Sequence, residues 1–527
     1  MTFFEESEES TINARNQSER DRDYYDNKQL TAAELKELRL RGQPEIIINR
    51  IQTKVNYLLG FEASQRTDPR GFPRTPQDED SSAACTDALR YIRDQTMAAQ
   101  VFSDVWENML VEGYGGCEVG LEAANEGGND ITLTHVPWDR LFYDPHSRRH
   151  DFSDARYNGI VIWMDEDAAL GRWPDGADAI ARTIDEDASR TYSDRPTFKQ
   201  WAQNGKRKRV RIVQMYHREG AVWKCCIFTK GGKLQSWDVT FVDEKGKSLN
   251  PLIMQSAFVD RENNRYGFVR ALISPQDEIN KRRSKLLHLA VGKPFTYEDG
   301  ALDDVEDAMV KLSRNEGVKL NPGFEFKLLD TSVEIAGHTA LLQHATQEID
   351  LQGPNAVMQG KGERGASGRA KMVDQQGGQT EIYRLVDRHS ALKMRVYKTE
   401  WAVVRQEWTG PKWIRVTDDE KNVRFVGLNR PVTMAEDLVK QAVAKGVEEE
   451  DAKAQLAQQA QDPMIRMQLQ QIVRTEHVPS EMNMDIILEE VPDSANLQQE
   501  QFEILAQLAQ AGVQFPPKVY IKASALR

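Results

Sequence analysis

Apolar residues recur at two distinct periods along this chain, and the change from one to the other marks where helices give way to strands. Leu35, Leu38 and Leu40 follow Thr31-Ala32-Ala33-Glu34, whose hydroxyl and carboxylate three positions apart form a capping box, so a helix is predicted there. Residues 46–59 predict another, ending before Gly60. Residues 81–112 carry Ala88, Ile92, Ala99, Val105, Trp106 and Leu110 at helical intervals, until Gly113-Tyr114-Gly115-Gly116 breaks the pattern. Beyond that break, residues 117–121, 131–136, 159–164, 210–217, 221–229 and 233–239 form short runs, β-branched or alternating and bounded by turn residues, and predict strands. Residues 1 to about 20 are acidic and polar with little to bury, and predict a mobile arm.

The helical period then returns in two long segments around an insert. Ser274-Pro275-Gln276-Asp277 supplies a capping hydroxyl, a proline for the first helical position and an acid in the first turn. Ile279, Leu286, Leu287 and Ala290 form the apolar stripe, and Gly292 with Pro294 ends the helix. The insert, residues 293–331, predicts a short helix over 303–312 and strands over 317–320 and 324–328. A second helix over 338–351 runs to Gly353-Pro354. Ile382, Leu385, Val386, Leu392, Val396, Trp401, Val404 and Trp408 then mark the buried face of a long core helix. Strands follow over 412–416 and 422–428, then an exposed helical insertion over 433–477 with breaks at Gly446 and Asp462-Pro463. A strand over 484–489 and helices over 497–511 and after Phe515-Pro516-Pro517 close the chain. The fold class is α+β, and 527 residues imply two to four modules.

The charge narrows the function. A net charge of −13 argues against a protein that wraps nucleic acid, because Lys and Arg neutralising phosphates supply most non-specific affinity. If DNA is a partner, tight wrapping is not expected. Lys206-Arg207-Lys208-Arg209 directly precedes a predicted strand and reads as its solvated entry, and Cys225-Cys226 reads as strand packing. The basic middle of the first long helix, Lys281, Arg282, Arg283 and Lys285, fits a solvated face, a DNA-facing one or a subunit-facing one. The segment from Gln359 to Lys371 is rich in Gly, Lys and Arg, but no G-x-x-x-x-G-K-[ST] can be drawn through it, and it follows a helix where a nucleotide loop needs a strand. The four cysteines show no C-x-x-C spacing, so disulfides and structural zinc are not expected. His146 and His150 have helical metal spacing but sit beside Asp144-Pro145 with no third ligand. No nucleophile motif appears, and no catalytic, cofactor-binding or metal residue is nominated. The N-terminus lacks a signal peptide and no run nears the roughly 20 apolar residues of a membrane span, so a chain made in the cytosol is expected.

Several ordered segments carry a family resemblance: Asp21-Arg22-Asp23-Tyr24-Tyr25-Asp26-Asn27-Lys28-Gln29-Leu30, Arg41-Gly42-Gln43-Pro44, Asn49-Arg50-Ile51, Tyr266-Gly267-Phe268-Val269-Arg270, Ser274-Pro275-Gln276-Asp277-Glu278-Ile279-Asn280-Lys281-Arg282 and Gly353-Pro354-Asn355. Together they resemble the portal protein, the head-to-tail connector, of short-tailed double-stranded DNA bacteriophages. The resemblance implies a closed ring of twelve copies at one capsid vertex, through which DNA is packaged, retained and ejected. It assigns residues 21–267 to a wing, 268–292 to a first stem helix, 293–331 to a clip and 332–352 to a second stem helix. Residues 353–371 become a tunnel loop, 372–408 the core helix, 409–490 a return to the wing and 491–527 crown helices, with a longer tail beyond Arg527 common in the family. The implied partners are further copies of the chain, double-stranded DNA, an ATP-driven terminase, then a tail adaptor, and the major capsid and scaffolding proteins, with no membrane and no cofactor. The chain would sit in the virion, and in the host cytoplasm during assembly. On this reading Lys361, Arg364, Arg369 and Lys371 of the loop, with Lys281 and Arg282 of the stem, are the candidates to meet DNA. A nucleic-acid-processing enzyme with a diverged active site, or another ring-forming tail adaptor, is the alternative; adaptors are generally much shorter.

Overall fold

The structure is a computed structural model that describes residues 1–124, 128–189, 200–204, 207–314, 316–354, 368–417, 423–444, 447–459 and 463–490. The mobile arm expected over residues 1–20 is instead helix α1 (Thr2–Tyr25). Its buried positions, Phe4, Ser7, Thr11, Ala14, Arg15, Ser18, Asp21 and Tyr24, fall on one face, and most are polar. That face docks by hydrogen bonds. Ser7 Oγ donates to the Tyr143 carbonyl at 2.6 Å, Arg15 Nη2 to that of Leu141 at 2.5 Å and Ser18 Oγ to that of Glu112 at 3.0 Å. At its start Phe4 packs edge-on against Phe142, Trp201 and Phe228.

Helix α2 (Ala32–Leu40) carries the expected capping box: Thr31 Oγ1 accepts from Glu34 N and the Glu34 carboxylate accepts from Thr31 N. Helix α3 (Arg50–Ser64) begins later than expected, because Asn49 Oδ1 accepts from Gln52 N and fixes the start. It continues through Gly60, which faces open space, while Ile51, Val55 and Leu58 bury the opposite side. The long helix expected over 81–112 is two, α4 (Glu79–Gln95) and α5 (Ala98–Val111), broken where Met97 adopts φ 50°.

Strand Tyr114–Ala123 runs between Leu252–Ser256 and Asn129–Val136 in a three-stranded sheet. A second, antiparallel path orders Gly232–Asp238, Val222–Thr229, Lys208–Glu219, Tyr157–Asp165 and Leu141–Tyr143. Helices α6 (Glu166–Arg172) and α7 (Ala177–Asp187) follow Tyr157–Asp165. Cys225 joins the main core while Cys226 lies against the Phe4 cluster, so the adjacent pair faces opposite sides of one strand, and all four cysteines are free. The basic run enters its strand as expected, with Arg207 and Arg209 at Asp165 and Lys208 at Glu166.

Helix α8 (Val269–Val291) starts well before Ser274, and Pro275 lies inside it. Proline forfeits one i→i−4 bond there, but Val269, Leu272 and Ile273 are buried and anchor the turns preceding it. Leu287, expected in the apolar stripe, is exposed. In the insert, Asp304 caps α9 (Val305–Ser313), and Phe295–Tyr297 pairs with Phe326–Leu328; residues 317–320 form no strand. Helix α10 (Ser332–Leu351) then returns antiparallel to α8, the two meeting through Ile279, Leu342, Ala345 and Ile349. Helix α11 (Gly368–Glu407) is the core helix. It buries Ile382, Leu385, Leu392, Val396, Trp401 and Val404 against α3, α4, α5 and the three-stranded sheet. A hairpin, Lys412–Thr417 with Val423–Leu428, leads to the insertion, where α12 (Met434–Ala444), α13 (Glu449–Gln459) and α14 (Pro463–Leu469) lie between the paired strands Arg430–Thr433 and Ile472–Glu476. Strand Met484–Glu490 pairs with Thr67–Pro73, which the sequence pattern did not predict. The helices expected beyond residue 490 lie outside the described residues.

Candidate functional site

One buried face of α8 is built from amides and a hydroxyl four residues apart: Gln276, Asn280 and Ser284, with His288 continuing the row. Side chains at this spacing share one helix face. They bind the extended segment before α3 along its backbone. His288 Nδ1 donates to the Gly42 carbonyl at 3.1 Å, and Ser284 Oγ to that of Pro44 at 2.7 Å. Asn280 Oδ1 accepts from Ile48 N at 3.0 Å, while Gln276 Nε2 donates to the Ile48 carbonyl at 2.7 Å and Gln276 Oε1 accepts from Arg50 N at 3.1 Å. Asn280 Nδ2 also reaches Gln29 Oε1 at 2.6 Å, and Tyr24 donates to Asp277 at 2.5 Å. Backbone groups with no place in a helix or sheet are thus satisfied by one helix face.

The end of α10 locks into the same place. Lys54, buried on α3, donates to the carbonyls of Asp350 and Pro354 at 3.3 and 3.2 Å and to that of Gln352, a cation on the carbonyl end of a helix. Arg50 pairs with Asp350 at 3.2 Å. Gly353 has φ 73°, and a Cβ there would stand 2.3 Å from the Phe268 ring. A Cβ on Gly267 would stand 2.3 Å from the Leu110 carbonyl, whose oxygen accepts from Phe268 N at 2.8 Å. Asp21, fully buried and 3.6 Å from Arg270, has its carboxyl pushed up to about 6, chiefly by burial. The segments Asp21 to Leu30, Arg41 to Pro44, Asn49 to Ile51, Tyr266 to Arg270, Ser274 to Arg282 and the Gly353-Pro354 end of α10 therefore meet at one junction.

A family model described as phage P22-like portal protein matches residues 1–222 and 218–526. The chain belongs to the P22-like portal protein family. It is also similar to a portal protein of Helicobacter pylori bacteriophage KHP30, 20% identical over 427 residues; the match takes in 77% of this chain and 66% of that relative's length. Portal proteins are structural, and the chain is a mixed α+β member of the family.

The six residues expected to meet DNA in this portal family member fall in different places. Lys281 lies 3.6 Å from Glu34, and Arg282 pairs with Glu278 at 2.5 Å and approaches His338 at 3.5 Å, so both are engaged with side chains of the same subunit. Lys361 and Arg364 lie outside the described residues, and Arg369 and Lys371 belong to the first turn of α11, so the helix begins inside the segment expected to be loop. His146 and His150 sit in a loop, with His146 against Glu6 and His150 against Arg388, and no group of metal-ligating side chains converges among the described residues. Among the described residues no helix is long and apolar enough to cross a membrane. The row Gln276, Asn280, Ser284 and His288 is not anticipated by the sequence patterns above, although its regular spacing by four opposite a basic face was the available signal.

Proposed function

We propose that the chain is a structural, non-enzymatic portal subunit whose copies close into a ring at one capsid vertex, twelve in the family, around a passage for double-stranded DNA. Residues 21–267 would form the wing, α8 and α10 the stem, residues 293–331 the clip, and residues 353–367, ahead of α11, a tunnel loop. The clip would dock the terminase and then the tail adaptor, with capsid and scaffolding proteins meeting the wing and crown. The observation that carries this reading is the apolar surface left bare on α10 and the insert. Val333 is 80% exposed, Leu341 44% and Leu351 79%, joined by Tyr297, Met309, Val310, Phe324, Leu328 and Leu329. Helix α10 is apolar on more than one side yet buries only Ala345 and Ile349 against α8. An antiparallel helix pair with that much bare apolar surface calls for neighbours on both flanks, and a repeating heterologous contact whose rotation closes gives a ring. Native mass measurement with electron microscopy tests it: the expected result is a closed ring with an axial hole, near twelve subunit masses. Val333→Asp with Leu341→Asp should leave a folded subunit that no longer assembles; rings of unchanged yield would overturn the assignment of this surface.

A further inference from the structure

The loop that follows strand Leu141–Tyr143 holds His146-Ser147-Arg148-Arg149-His150, and its backbone is pinned from several directions. Asp144 accepts from the amides of His146 and Arg156, both at 2.9 Å. Asp154 accepts from Ser147 Oγ at 2.7 Å and from the amides of Arg148 and Arg149. Asn263 Nδ2 donates to the Pro145 and Ser147 carbonyls at 2.6 and 2.7 Å, and Arg265 to those of Ser147 and Arg149 at 2.6 and 2.9 Å. This rigid loop leaves the side chains of Arg148 and Arg149 exposed.

Helix α11 brings two more guanidinium groups to the same place. Arg388 stacks over Phe258 at 5.5 Å and donates from Nη2 to His150 Nε2 at 3.0 Å; Arg384, one turn earlier, is exposed. Because His150 Nε2 accepts, its proton resides on Nδ1, and burial with the nearby Arg388, Arg265 and Arg384 holds this imidazole neutral, its pKa pulled down to about 4. His150 Nδ1 and Arg388 Nη1 are both buried donors without an acceptor among the described residues. The neighbouring carboxylates are committed: Asp154 to the loop amides, and Asp151 to the amide and hydroxyl of Ser153 at 3.1 and 2.8 Å. Asp387 also lies near Arg388 and favours its charged form. In a chain of net charge −13, exposed Arg148 and Arg149 just before His150, and exposed Arg384 one turn before Arg388, gather guanidinium groups around the Arg388–His150 contact, an arrangement suited to a multivalent oxyanion.

We propose that Arg148, Arg149 and Arg384, set around the Arg388–His150 contact, form a binding site for the backbone phosphates of duplex DNA, made of residues other than those of the basic face of α8 and the 359–371 segment. The guanidinium fork matches phosphate oxygens in pairs, and the exposed arginines reach outward from a surface already ordered, so contact costs little reorganisation. The site reads no base, and its affinity falls steeply with salt. The inference rests on the reading that DNA passes this protein, but its test is independent of ring closure or packaging.

The experiment is fluorescence anisotropy of a labelled 20-base-pair duplex with the full chain across a salt series. It compares the unaltered protein, Arg148→Ala/Arg149→Ala/Arg384→Ala, and a charge-matched control, Lys233→Ala/Lys245→Ala/Lys247→Ala. The arginine variant should bind about tenfold or more weakly at low salt, and its log–log salt slope should be shallower by about 2 to 3, roughly 0.9 for each phosphate that is no longer neutralised. The control should change little, and thermal melts should match for all three because the altered residues are exposed. No duplex binding by the unaltered protein at low salt, or an equal weakening in the control, overturns the site. Inorganic phosphate at constant ionic strength separates the two sources of the anion. Displacement of the duplex no greater than that by chloride supports the DNA site, whereas displacement at low millimolar phosphate assigns it to free phosphate and overturns the duplex assignment.

Discussion

Two residues carry sharp consequences. Gly353 combines φ 73° with the Phe268 ring in the volume a methyl group would fill. Gly353→Ala should therefore cost about 1–3 kcal/mol, the scale of a non-glycine residue held in that region, read as a lower midpoint in urea unfolding. Glu400 on α11 is fully buried, neither carboxylate oxygen has a hydrogen-bond partner among the described residues, and burial pushes its carboxyl up to about 8. The folded protein thus holds a proton that the unfolded chain, titrating near the ordinary carboxylate value of about 4.3, releases at lower pH. Stability linked to this group is complete below that ordinary value and is lost as pH rises toward about 8. Glu400→Gln should raise the melting temperature at pH 8 and leave it nearly unchanged at pH 4.5; parallel shifts at both pH values would refute the linkage.

At the scale of elements, α1 shows why part of the fold was hidden from the sequence. Periodicity detects apolar faces, and the docked face of α1 offers Ser7, Arg15, Ser18 and Asp21, which reach carbonyls and a charge far away in the chain. Strand Thr67–Pro73 was hidden for a similar reason, since it contains Pro69 and Gly71 and its partner, Met484–Glu490, lies some four hundred residues on. The central strands and α11 were legible because their β-branched or apolar runs are local and long. The capping box at Thr31 was legible because both halves lie within one turn. At Ser274-Pro275 a valid start signal was overridden by burial of the preceding Val269 and Leu272. The docked α1 makes a clear prediction. Phe4→Ala removes a fully buried ring from the cluster of Phe142, Trp201 and Phe228, and should cost about 3–5 kcal/mol in chemical unfolding. A mobile arm would give almost no change.

At the scale of the whole molecule, the family resemblance was legible as six separated segments, but their convergence along α8 was not, because no local pattern encodes a contact between residues 42–50 and 276–288. The 359–371 segment is tested in the assembly: replacing Lys361, Arg364, Arg369 and Lys371 by Ala should leave rings intact while altering the yield of packaged DNA. An unchanged yield would remove these residues from the passage. The row of Gln276, Asn280, Ser284 and His288 has a mechanical consequence. Each side chain fits particular backbone groups, so α8 cannot creep lengthwise past residues 42–50; a shift of one residue would break every bond in the row at once. Such a joint behaves like a rack with its teeth engaged, refusing small lengthwise slips. A load taken up at the far end of α8 and α10 would reach α3 as displacement of a single stiff body, and would not be dissipated along the way as sliding.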